Sequence, residues 1–125
     1  MLRREKQWAF LLDVAELINY IEVLDFSAVG GELQRSYAEQ QRKFDAGLSK
    51  ARPGFSLHQK LQAIDIEFFS EVGSWLRVPS NKEEQARHRE ILKPLGDFWE
   101  GLDENNHWGG NFSTLYDPNH FERRD

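Results

Sequence analysis

His58 stands seven residues before Asp65, and His120 stands three after Asp117 and two before Glu122. The chain has four histidines and no cysteine. Any metal it binds is therefore held by imidazole and carboxylate, and disulfides and cysteine-based zinc sites are excluded. In one straight helix His58 and Asp65 would lie about 10 Å apart along the axis. That is too far for two ligands that each sit about 2 Å from one ion. A loop that drops His58 back onto a strand carrying Asp65 suits the pair better, and Pro53-Gly54 supplies a break just upstream. In the run AIDIEFF, side chains alternate, so Asp65 points away from Ile64 and Ile66 and towards whatever His58 faces. The plain alternative is a turn histidine and a solvated acid, and the spacing by itself leaves both open.

The second cluster is Tyr116-Asp117-Pro118-Asn119-His120-Phe121-Glu122. Asp-Pro-Asn is turn chemistry, and such a turn brings its first and fourth residues within about 7 Å. Asp117 and His120 can then approach a common point, with Glu122 on the same strand face as His120. Alone, this is equally a surface turn between ordinary acids. Together, His58, Asp65 and His120 make three ligands with a fourth position free for water, as in catalytic zinc sites. A carboxylate such as Asp117 beside that water completes the parts needed for metal-assisted hydrolysis.

The elements that must position these groups are those of an α+β fold, with a small, mainly antiparallel sheet flanked by helices. Apolar residues at Trp8, Leu11, Leu12, Ala15, Ile18 and Ile21 predict a helix over residues 4–22. A strand is expected over Val23–Val29. A second helix is expected from Tyr37 to Leu48, capped by Ser36 with Glu39 three residues on, and closed by Gly47. A strand at Ala63–Phe69 and a turn at Gly73 lead to a hairpin partner at Ser74–Val78. A third helix, capped by Ser80 or Asn81, runs to about Leu102, kinked or split at Pro94. The Gly- and Asn-rich tail reads as irregular up to a short strand at His120–Arg123.

The length of 125 residues predicts one domain spanning 1–125. A net charge of −5 argues against nucleic acid, which requires clustered cations. The N-terminal run WAFLL is interrupted by Asp13 and Glu16, so neither a signal peptide nor a membrane span is expected. The expectation is a monomer made in the cytoplasm that meets its substrate elsewhere. Trp75 and Trp99 read as core and His88, within EEQARHRE, as solvated. His107 and Trp108 read as cleft-lining, with Trp108 an exposed substrate wall beside two glycines.

Ser56-x-His58-x6-Asp65 with Asp117-x-x-His120-x-Glu122 resembles the zinc peptidases that include D-alanyl-D-alanine carboxypeptidases and phage L-alanyl-D-glutamate endopeptidases. The hedgehog signalling domain shares their fold. The segment Gly31–Ser36 with Gln40, and the stretches LGDFWE from Leu95 and WGGNF from Trp108, extend the likeness over about residues 5 to 123. The resemblance implies His58, Asp65 and His120 as zinc (Zn2+) ligands, Asp117 as general base and Arg35 as the group that steadies the oxyanion. It implies Gln40 and Ser56 as substrate contacts or supports of the ligands. Glu122 would orient His120 or hold a substrate amine. Leu61 departs from the pattern, since many relatives have glycine there. The implied substrate is the peptidoglycan stem peptide, cut most naturally at L-alanyl-D-glutamate in the manner of a phage endolysin. A D-alanyl-D-alanine carboxypeptidase and a non-catalytic zinc-bearing wall-binding module are the alternatives. The implied place of action is the cell wall, reached after release from the cytoplasm.

Overall fold

The computed structural model describes residues 1–30, 37–49 and 57–125. Helix α1 spans Arg3–Val23, strand β1 Ser27–Gly30, helix α2 Tyr37–Asp45, strand β2 Ala63–Phe69 and helix α3 Lys82–Leu102. Strand β3 at Asn106–Trp108, a 3₁₀ turn at Gly109–Asn111 and strand β4 at His120–Arg123 complete the order. The sheet is ordered β1-β2-β4-β3, and each neighbouring pair is antiparallel. The α+β class expected from the sequence is the one observed.

Two long helices close one side of the sheet. Phe10 of α1 meets Trp99 of α3 edge-on at 5.7 Å, and Trp99 meets Phe121 of β4 at 5.9 Å. All three are fully buried, as are Phe68 and Trp108. The indole N–H of Trp99 donates to the Glu122 carbonyl at 3.1 Å, which ties α3 to β4 and satisfies the one polar atom such a ring takes into the core. Helix α3 is capped by Asn81, whose side chain accepts from the Glu84 amide at 2.8 Å.

Several boundaries differ from the sequence reading. Helix α3 runs unbroken through Pro94. The carbonyl left without its donor there is that of Glu90, an exposed residue that water can solvate. Helix α1 continues to Val23, so β1 begins at Ser27, after Asp25 turns the chain with φ 62°. Helix α2 ends at Asp45, and Gly47 takes the left-handed conformation just beyond it. Ser36 lies outside the described residues. The turn at Gly73 forms, with φ 82°, but its far arm makes only a single bridge, Phe69 to Trp75. Trp75 is half exposed under the Arg77 guanidinium, not in the core.

His88 also departs from its solvated reading, since it is buried. Its Nε2 lies 3.0 Å from the Leu76 carbonyl and its Nδ1 2.6 Å from the Tyr116 hydroxyl. A carbonyl only accepts, so Nε2–H donates to it and Nδ1 accepts from the tyrosine. Burial pushes the Tyr116 phenol up to about 12, although the Arg89 charge opposes this, so the hydroxyl keeps the proton it donates. The clasp anchors the residue that precedes Asp117.

Candidate metal centre and cleft

The two central strands set the register of the site. β2 and β4 pair antiparallel with Asp65 directly opposite His120, so both side chains leave the same face of the sheet. His58 arrives from the turn at residues 57–61, closed by the Gln62 amide on the Leu57 carbonyl at 2.9 Å. Leu61 completes that turn with φ 56°, a left-handed conformation that is strained for a branched side chain. The turn is held from outside by α1, where Gln7 donates to the Lys60 carbonyl at 3.0 Å.

These elements bring three donors to one point. His58 Nε2 lies 3.2 Å from His120 Nδ1 and 3.5 Å from Asp65 Oδ1, and His120 Nδ1 lies 3.2 Å from Asp65 Oδ1. Two ligands bound at 2.0–2.1 Å to a tetrahedral ion are themselves about 3.3 Å apart. All three edges match that spacing, so this group could hold a metal ion. Hydrogen bonds alone close the triangle poorly. An ionised Asp65 only accepts, and two facing ring nitrogens need one bare lone pair, which leaves one edge unpaired or shared.

His120 has its second nitrogen fixed as well. Nε2 lies 2.7 Å from Glu122 Oε1, and the Arg124 guanidinium binds the other Glu122 oxygen. A carboxylate on the far nitrogen fixes the ring's orientation and tautomer and raises its basicity as a ligand. Glu122 is thus held between His120 and Arg124.

The electrostatics follow from this packing. Burial disfavours the charged form of Asp65, but hydrogen bonds and charge from His120 and His58 override it and hold the carboxyl well below the usual range. Burial likewise disfavours the His120 imidazolium. Its hydrogen bonds to Asp65 and Glu122, with the charges of Asp65 and Asp117, raise it instead to about 9. Glu122 is lowered, its burial outweighed by His120 and Arg124. Asp65, Glu122 and Asp117 thus favour a positive charge on the His120 ring.

Asp117 heads a turn in which the His120 amide binds its carbonyl at 3.1 Å, as the Asp-Pro-Asn motif predicts. Its own amide binds the Gly109 carbonyl at 3.1 Å. The Trp108 indole donates to the Pro118 carbonyl at 2.8 Å. A cleft of roughly 790 Å³ opens over this centre, lined by His58, Asp65, Asp117, His120 and Glu122 together with His107 and Phe112. That volume suits a ligand of drug or short-peptide size. Lys43 and Arg124 add cations to its wall.

Two residues expected to meet substrate are buried. Trp108 borders the cleft, but its side chain is fully buried. A Cβ on Gly96 or Gly110 would come within 2.1 or 2.3 Å of its ring, so the two glycines form a slot for the indole rather than an exposed wall. Gln40 is fully buried, donates to Ser49 Oγ at 2.8 Å and is absent from the cleft lining. Its amide supports the loop after α2. Arg35 and Ser56 lie outside the described residues. Glu100 is a lining residue that the sequence reading did not single out. Its two oxygens accept from the Trp108 amide at 3.0 Å and the Asn111 side chain at 2.9 Å, which pins the β3 loop to α3. The only sequence signal was its place in the LGDFWE stretch.

The family model described as D-alanyl-D-alanine carboxypeptidase matches residues 49–123, more than half of the chain. The chain belongs to this peptidase family. Membership makes it a hydrolase of peptide bonds. The L-Ala D-Glu endopeptidase ChiX of Serratia marcescens, a solved structure, is similar in fold. It aligns at a TM-score of 0.55 with 22% identity, covering 88% of this chain and 79% of that one. No curated protein sequence matches the chain. No helix among the described residues is long and apolar enough to cross a membrane.

In this peptidase, Gly109 is the position where backbone approach matters most to the site. A Cβ there would lie 2.0 Å from the Asp117 carbonyl oxygen, and a backbone atom cannot swing aside. Gly109→Ala is expected to destabilise the fold by about 1–3 kcal/mol and to lower hydrolysis by displacing the Asp117 turn. Gly101→Ala is the control. Nothing lies within 4 Å of its new Cβ, and alanine is the better helix former by about 1 kcal/mol. Thermal unfolding and hydrolysis rates of the two variants check this. Equal behaviour would mean that the turn is not held by Gly109.

Proposed function

We propose that the protein is a zinc-dependent peptidoglycan peptidase that hydrolyses stem peptides, with the L-alanyl-D-glutamate bond as its target. The observation that carries this reading is the triangle of donors, whose three edges of 3.2, 3.2 and 3.5 Å match a tetrahedral ion beneath a peptide-sized cleft. His58, Asp65 and His120 are the residues that would hold zinc. Imidazole and carboxylate donors with an open side suit that ion in a catalytic role. When bound, the ion supplies Lewis acidity towards water and the scissile carbonyl.

The chain's own residues do the rest. Glu122 holds the His120 ring through Nε2, so Nδ1 faces the centre. Asp117, on the cleft wall, takes a proton from the attacking water on its carboxylate and returns it to the departing amine. Arg35 steadies the oxyanion, as the family resemblance implies, a role that suits a guanidinium. The choice of bond draws support from the endopeptidase likeness. The family description favours a second reading, removal of a terminal D-alanine.

Mass spectrometry of digested muropeptides separates the two. Endopeptidase action frees a peptide beginning at D-glutamate, whereas carboxypeptidase action removes a single D-alanine. No release of new amines from cell wall by the zinc-loaded protein would refute both.

A further inference from the structure

Helix α1 carries two apolar stripes, and the fold uses one. Phe10, Val14, Leu17 and Ile21 are buried against the core. On the other side Trp8 is 63% exposed, Leu11 43%, Leu12 49% and Ile18 54%, with exposed Ala15 among them. At 100° per residue these five fall within an arc of roughly 120°. A soluble monomer does not need a second stripe of this kind, and contiguous exposed apolar surface marks an interaction site.

The ends of the stripe indicate what covers it. Arg4 and Glu22, both exposed, sit on the same line of the helix, about 27 Å apart. Arg3, Arg4 and Lys6 outnumber Glu5 in the first part of α1, and Asp13, Glu16 and Glu22 make the second part acidic. A second α1 laid antiparallel, with facing positions summing to 26, sets Arg4 against the partner's Glu22. The same register sets Trp8 against the partner's Ile18 and Leu11 against the partner's Ala15, with Leu12 next to the two-fold axis, which falls at the level of position 13. Large residues thus meet smaller ones, and the Arg4–Glu22 pair forms twice, once on each side of the axis. Parallel pairing would set like charges together. An anionic membrane surface fits less well, because Glu22 lies on the stripe and would face it, whereas interfacial helices carry cations along the polar face.

We infer that α1 forms the interface of a homodimer, an isologous antiparallel helix pair centred near Leu12. It departs from the expectation of a monomer and stands independently of the reaction catalysed. A single helix pair buries little area, so the dimer is weak and depends on concentration.

Sedimentation velocity over a concentration series tests it, with far-UV circular dichroism confirming that each variant folds. The expected result is a mass rising towards that of two chains for the wild type. Arg4→Glu and Glu22→Arg alone each weaken dimerisation by about tenfold or more, and the double variant restores it. Leu12→Glu keeps the mass of one chain throughout. The inference is overturned by a wild type that stays monomeric at all concentrations, or by a double variant as weak as the singles. Co-sedimentation of a monomeric wild type with anionic phospholipid vesicles would also overturn it and assign the stripe to a membrane.

Discussion

Asp117→Asn is expected to lower kcat for stem-peptide hydrolysis by about 10²–10⁴-fold, the usual contribution of a positioned acid–base group. Zinc content should stay at the wild-type level, because the carboxylate lies outside the triangle formed by His58, Asp65 and His120. The change is nearly isosteric. The Asp117 backbone carbonyl that accepts from the His120 amide is untouched, as is its amide on Gly109, so the turn should survive. KM should move little, since the loss falls on proton transfer rather than on binding. Steady-state kinetics with metal analysis on the same preparation decide it. Full activity in the variant would remove Asp117 from the base role and leave Glu122 or a residue outside the described segments to fill it.

The second large effect concerns His58. Zinc at a hundredfold excess over its Kd should stabilise the wild type by about 2.7 kcal/mol, which raises the Tm of a domain of this size by about 10 °C. In His58→Ala this zinc-induced rise should largely vanish, and hydrolysis should fall to background. Comparing each protein with and without zinc separates lost metal from lost packing, which matters because His58 is buried. A variant that keeps the full zinc-induced rise would show that the ion binds elsewhere.

Much of this site was legible in the sequence because its parts are local. AIDIEFF states its own alternation and therefore the side on which Asp65 lies. Asp117-Pro118-Asn119-His120 states its own turn. What could not be read depends on partners distant in sequence. β3 is three residues long and is a strand because β4 binds it, and no propensity in a Gly- and Asn-rich tail announces that. Trp108 beside two glycines reads as exposed. Gly96, on α3, helps build the slot that buries it. His88 sits in a run of charges and is buried because Leu76 and Tyr116 both reach it. Gln40 has a polar side chain and a buried position, a combination visible only once Ser49 meets it.

The opposition of Asp65 and His120 in register has a mechanical side. An ion shared by these two residues would staple together parts of the chain separated by more than fifty positions, in a protein with no cysteine. Such a reversible cross-link penalises the open chain much as a disulfide does, yet a chelator can undo it. The C-terminal strand would then loosen when the ion leaves, so a metal-starved protein would become prone to proteolytic trimming from that end.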